Sequence, residues 1–309
     1  MSAVRGSMAE DEPSVSHFIT VDGTRLRYLD RGSGTPVLLL HGNGSMVEDF
    51  VSSGVMDHAS GHRFIAFDRP GFGHSERPRG RTWGPFEQAD LLQRALMHLN
   101  IERPIVVGHS WGALVALAMA LQRAEDVAGL VLMAGYYYPI PRPVTVRVPA
   151  AAFPFLRRLM APDTMRRVFA PCAVPARFRR SYPMSLALRL SQMLVVDEEA
   201  AMLLDATKAL CRLYPDLSVP VHLIAASDDC IVDTDQHSAR LHKELGSSTF
   251  DRVLGCGHMV HHAAPEQVLA AIAAVGAARR GEGAARPPGV ANTAPRRQWL
   301  HIGESVLAA

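Results

Sequence analysis

Lysine is nearly absent from this 309-residue chain: Lys208 and Lys243 are the only two, and arginine carries the rest of the positive charge. The 32 basic and 30 acidic residues leave a net charge of +2, so no global field draws the chain to nucleic acid or to a membrane. Cysteine is scarce too. Cys172, Cys211, Cys230 and Cys256 lack paired spacing, which excludes a disulfide framework and the usual cysteine metal motifs and predicts reduced thiols. No N-terminal apolar segment resembles a signal peptide, and no run approaches the roughly eighteen residues that span a bilayer. These absences predict a cytoplasmic protein with no membrane span. What remains, 48% hydrophobic residues over 309, suffices for one large α/β core with a small insertion.

The most informative stretch is Gly108-His109-Ser110-Trp111-Gly112. A short β-branched run, Ile105-Val106-Val107, precedes it, and an Ala/Leu/Met-rich run from Ala113 to Leu121 follows, so the sequence predicts a strand, a sharp turn and a buried helix. A serine flanked by glycines at such a turn has the form of a nucleophile elbow, because a Cβ at either glycine would crowd strand and helix. The turn sets the Ser110 hydroxyl above the positive end of a helix.

A nucleophilic serine needs a base, an acid to orient it, and donors for an oxyanion. His258 lies in the glycine-flanked loop Gly255-Cys256-Gly257-His258, after a predicted strand at Phe250 to Leu254. Histidine suits the role because it titrates near neutrality. His261 and His262 are read as surface residues opening the next helix. The acid comes from Ser227-Asp228-Asp229, a loop after the predicted strand Val219 to Ala226, with Asp228 and Asp229 both eligible. His41-Gly42-Asn43-Gly44-Ser45, after the strand Val37 to Leu40, offers a loop of main-chain donors.

Together these pieces resemble the α/β-hydrolase superfamily, from about His17 to Gly276. The resemblance implies a mostly parallel central sheet flanked by helices, with an inserted helical cap, and no cofactor or metal. It assigns Ser110, Asp229 and His258 as the triad; Asp229 is preferred over Asp228 by its spacing to Ile231-Val232. Asn43 and Trp111 become the oxyanion donors through their main-chain N–H groups, and the Asn43 amide offers a third. Phe67-Asp68-Arg69-Pro70-Gly71-Phe72-Gly73 matches the family's loop after the fourth strand, with Asp68 and His41 holding loops. Gly71-x-Gly73 is no dinucleotide fingerprint, since it lacks the third glycine and the first-strand placement. The elbow is most similar to that of epoxide hydrolases and haloalkane dehalogenases, whose central residue is aspartate. Serine cannot form their alkyl-ester intermediate, so the resemblance points instead to cleavage of a small-molecule carboxylic ester. Carbon–carbon or lactone hydrolysis by the same triad is an alternative, and a non-catalytic ligand-binding protein is a second.

Residues 1–16 read as a mobile segment, 17–138 and 216–278 as the core, and 279–309 as a disordered tail in which Trp299 to Leu307 could dock locally. From 139 to 215 strand–helix alternation stops, which is where the family places its cap. Nine prolines from Pro139 to Pro183 predict short helices; Asp197-Glu198-Glu199 is read as the acidic first turn of a longer one. Ten arginines and one acid, Asp163, lie between Pro139 and Val196. They form either a solvated basic face or, for one or two of them, a fork for a substrate carboxylate or phosphate. Phe153, Phe155, Leu156, Leu159 and Met160 add the option of a lipid surface. Tyr136-Tyr137-Tyr138 is read as pocket or hinge, with at least one ring at the pocket rim.

Overall fold

Residues 15–58, 61–141 and 154–280 are described here from a computed structural model. The strands are β1 (Ser16–Val21), β2 (Thr24–Gly32), β3 (Thr35–Leu40), β4 (His62–Phe67), β5 (Ile105–His109), β6 (Gly129–Met133), β7 (Val221–Ala226) and β8 (Thr249–Val253). They form one sheet in the order β1-β2-β4-β3-β5-β6-β7-β8. From β4 to β8 every pairing is parallel, and only β2 runs against both its neighbours.

The apolar runs explain why the parallel strands lie at the centre. Successive side chains point to opposite faces, so an unbroken apolar strand needs cover on both. Leu38, Leu40, Val106, Leu130 and Leu132 face one core layer, filled from α2 (Pro85–His98) and α3 (Trp111–Gln122). Val37, Leu39, Val107, Val131 and Met133 face the other, filled from α1 (Glu48–Ser53) and, after the last strand, from the helix Pro265–Arg280. β3 leads to β4 on one side while β5 lies on its other side. The loops after β3 and β5 therefore open at a switch in strand order, where such sheets hold their ligands.

Between β6 and β7 comes a helical insertion: α4 (Pro154–Phe169), α5 (Ala176–Ser181), α6 (Met184–Ala187) and α7 (Leu190–Cys211). The chain ends its described part with α8 (Arg240–Leu245), α9 (Val260–Ala263) and α10 (Pro265–Arg280).

Three boundaries differ from the sequence reading. Ser16 pairs with Leu29 and belongs to β1 rather than to a leading segment, and α10 continues two residues beyond 278. Residues 1–14 and 281–309, including Trp299 to Leu307, lie outside the described residues, as do Arg142, Arg147 and Phe153. Most informative is α7, which starts at Leu190. Asp197, Glu198 and Glu199 stand inside it, where Arg157, Arg77 and Arg69 bind them in turn.

Candidate active site

The elbow is built by steric exclusion. A Cβ at Gly108 would lie 2.4 Å from the Gly112 carbonyl oxygen, and one at Gly112 only 2.1 Å from that of Leu40. Glycine alone lets β5, α3 and the end of β3 converge. Ser110 bridges them with φ 53° and ψ −115°, a conformation that a side chain rarely adopts and that surrounding structure must impose. Its N–H donates to Met133 O at 2.9 Å, tying the turn to β6, its main-chain carbonyl accepts Ala113 N–H (3.1 Å) at the start of α3, and its half-buried hydroxyl makes no capping bond to that helix.

Two further loops reach the same end of the sheet. His258 follows β8, and its Nδ1 lies 2.8 Å from Asp229 Oδ2 in the loop after β7. Asp229 is nearly sealed from solvent, and its other oxygen accepts the N–H groups of Ile231 (2.7 Å) and Val232 (2.9 Å). Burial alone would raise the Asp229 pKa; the His258 charge and these donors outweigh it and hold the carboxyl below its ordinary range. An ionised Asp229 accepts a hydrogen bond from His258 Nδ1–H, which leaves Nε2 as the imidazole's free acceptor. Asp228 is exposed, and its carboxylate accepts from the neighbouring Ser227 Oγ.

His109, next to Ser110, was not singled out from the sequence. Its Nε2–H donates to the His258 carbonyl at 3.0 Å, and the two rings lie 4.9 Å apart between centroids. Burial, then the neighbouring His261 and His258, keep its pKa well below the usual value, so it stays neutral. On the other side of the His258 loop, a Cβ at Gly257 would sit 1.9 Å from Ala170 O of the insertion. The loop is thus gripped from both sides.

His261 and His262 are not surface residues. Both are buried against α1, with Nε2 atoms 3.2 and 2.7 Å from Asp49 Oδ1. The short α9 turns them inward, where Phe169 and Phe178 meet the His262 ring edge to face. The three donor atoms lie within 4.8 Å of one another, so the set has the composition of a metal site. His262 Nε2–H (2.7 Å) and Ser45 Oγ–H (3.0 Å) donate to the two Asp49 oxygens, with His261 Nε2 in contact beside them, which makes it a buried polar cluster. Burial would raise the Asp49 pKa, but the two histidines hold it well below normal.

The loop after β3 lies against the elbow: a Cβ at Gly42 would be 3.1 Å from that of Ser110. Among the described residues, no main-chain hydrogen bond outside the helices and strands engages the N–H of Asn43 or of Trp111. The Asn43 side chain is engaged with the insertion: its Nδ2 donates to Val196 O of α7 at 3.1 Å. His41 and Asp68 hold loops as expected. His41 Nδ1–H donates to Gly42 O (2.8 Å) while Nε2 accepts the Arg69 N–H (3.0 Å), and Asp68 accepts Val47 N–H and His74 N–H, each at 2.9 Å. Trp111 packs its ring in the core.

The insertion's arginines are mostly engaged. Arg157 pairs with Asp197, Arg166 with Asp163 and Arg177 with Asp57, and Arg189 donates to Gly73 O. Arg158, Arg166 and Arg179 also border a cavity of ≈ 630 Å³ lined by Met165, Phe178 and Leu188. The tyrosine run lies inside, with all three rings buried. Tyr138 Oη donates to Glu244 (2.7 Å), and Tyr137 O accepts Tyr214 Oη (2.7 Å).

Comparison with known proteins agrees with this architecture. Residues 35–265 match the model of the alpha/beta hydrolase fold family. The chain belongs to that family and is a hydrolase. It is 27% identical over 281 residues to haloalkane dehalogenase 2 of Mycobacterium bovis, covering 84% of this chain and 94% of the relative. It is 35% identical to the 2-hydroxymuconate semialdehyde hydrolase of Pseudomonas sp. strain CF600, over 42% of this chain and 48% of that one. Among solved structures, an esterase from Exiguobacterium antarcticum superposes with a TM-score of 0.69 at 20% identity, over 86% of this chain and all of the other. No described helix is long and apolar enough to cross a membrane.

Proposed function

We propose that the chain hydrolyses a small-molecule carboxylic ester through Ser110, His258 and Asp229. The observation that carries this reading is the short, buried contact between His258 Nδ1 and Asp229, at the same sheet end as a serine held in a strained turn just before α3. Nε2 of His258 takes the Ser110 proton as Oγ attacks the ester carbonyl. The N–H groups of Asn43 and Trp111 receive the developing oxyanion, and their lack of other main-chain partners supports that role. The tetrahedral adduct collapses, the alkoxide leaves with the proton from His258, and water then cleaves the acyl-enzyme by the same route. Helices α4 to α7 serve as a cap that excludes water and shapes the pocket.

Serine at the elbow weighs against dehalogenation, the activity that the M. bovis relative's name carries. Carbon–carbon bond hydrolysis is the second reading, favoured by the 35% identity with half of the semialdehyde hydrolase. Hydrolysis of p-nitrophenyl esters from acetate to dodecanoate separates them. Turnover by the wild type with a chain-length optimum, and its near-complete loss in folded Ser110→Ala and His258→Ala, is the expected result. Full activity in either variant would refute the triad. A wild type that reacts with a fluorophosphonate but cleaves no ester would favour the second reading.

A further inference from the structure

The Gly42–Asn43 peptide is held in an unusual way. Because a peptide is planar and trans, its C=O and N–H point in opposite directions, so pinning the oxygen aims the hydrogen. Gly42 O accepts both His41 Nδ1–H (2.8 Å) and Arg69 Nη2–H (3.0 Å). The Asn43 N–H, the proposed oxyanion donor, is therefore oriented from behind by a guanidinium.

Arg69 is fully buried and uses its whole fork. Nε donates to His41 O (2.8 Å), Nη1 to Gln88 Oε1 (2.8 Å), and the two Nη atoms to the two oxygens of Glu199, one at 3.1 Å and the other closer still. Glu199 belongs to α7 of the insertion, is equally buried, and also accepts Gln88 Nε2–H (3.0 Å). A desolvated ion pair of this kind is weak grounds for stability, since well-packed apolar residues often do as well. It does fix geometry: the bidentate contact leaves the guanidinium one orientation. One turn earlier on α7, Val196 O receives Asn43 Nδ2–H, so the same helix holds the peptide from both ends.

From this arrangement we propose that Glu199 is a positioning residue for the oxyanion hole, acting through Arg69 on the Gly42–Asn43 peptide. The proposal rests on the ester-hydrolase reading. It makes catalysis depend on α7 being docked, although Glu199 touches no reacting atom.

The test is steady-state hydrolysis of p-nitrophenyl acetate by Glu199→Gln and Glu199→Asp, with inhibition by an aliphatic trifluoromethyl ketone, whose adduct with Ser110 needs the hole. Removing one oxyanion donor outright typically costs about a hundredfold or more in kcat. Misaiming it should lower kcat roughly ten- to a hundredfold with KM changed less than twofold, and weaken the ketone by a similar factor. The pH–rate profile should stay put, because the His258–Asp229 contact is untouched. Glu199→Asp keeps the charge one methylene short, so a folded Asp variant with the same kcat loss supports positioning if Glu199→Gln does not fold. Wild-type kcat and ketone affinity in either folded variant would overturn the proposal, as would a change confined to KM. Wild-type protein that neither cleaves esters nor binds the ketone would refute the ester-hydrolase reading itself.

Discussion

At the scale of single residues, the deciding feature is how Asp229 is solvated. Three donors replace the water it lost, so it remains ionised and holds His258 in one tautomer. Asp229→Asn should fold with little change in stability yet lower kcat by about three to four orders of magnitude, since an amide facing Nδ1 no longer enforces the proton there. Circular dichroism with ester turnover checks both; a loss under tenfold would mean that His258 does not depend on this partner. The choice of Asp229 over Asp228 was legible only through family spacing. Burial then separates the two side chains, and no local pattern in Ser227-Asp228-Asp229 reports burial. His109, His261 and His262 were beyond reach for the same reason: a histidine's sequence neighbours do not say whether α9 turns it toward Asp49 or toward water.

Among the elements, β3, β5 and α3 meet with no room to spare. Gly112→Ala places a methyl carbon 2.1 Å from Leu40 O, a backbone atom that cannot move without shifting the central strand. We expect a loss of roughly 3 kcal/mol or more, within the range for a strained or overpacked buried site. Urea unfolding measures it, and a midpoint equal to wild type would show that the elbow has slack. This part was readable, because glycine spacing records a steric demand directly. The start of α7 was not. Acids at Asp197 to Glu199 have the signature of a helix N-terminus, but here they answer arginines from α4 and from the loop after β4, more than a hundred residues away for Arg69 and Arg77.

The whole molecule carries its histidines in a way that makes stability depend on pH. Burial, first among the causes, lowers the pKa of His41, His109 and His262 below the ordinary 6.5. A folded pKa below the unfolded one means that, as pH falls through 6.5, the unfolded chain binds protons that the folded chain refuses. Stability is therefore full above 6.5 and declines below it, by up to about 1.4 kcal/mol per pH unit for each such group. Asp68 works in the other direction: burial raises its folded pKa from 3.8 to about 6, so it gains a proton in the fold between those values. Three histidines against one carboxyl give a net loss. The urea midpoint should be lower at pH 5.5 than at pH 7.5; an equal or higher one would show that these rings charge in place.

Local demands were written plainly in the chain. Unbroken apolar strands call for a sheet covered on both faces, and Gly-x-Ser-x-Gly calls for a tight strand-to-helix turn, because backbone sterics and hydrophobic period act over a few residues. The pairing of Arg69 with Glu199, the grip on the His258 loop and the inward turn of His261 and His262 came from packing. Each joins segments distant in sequence, and each depends on which charges and rings the fold withdraws from water.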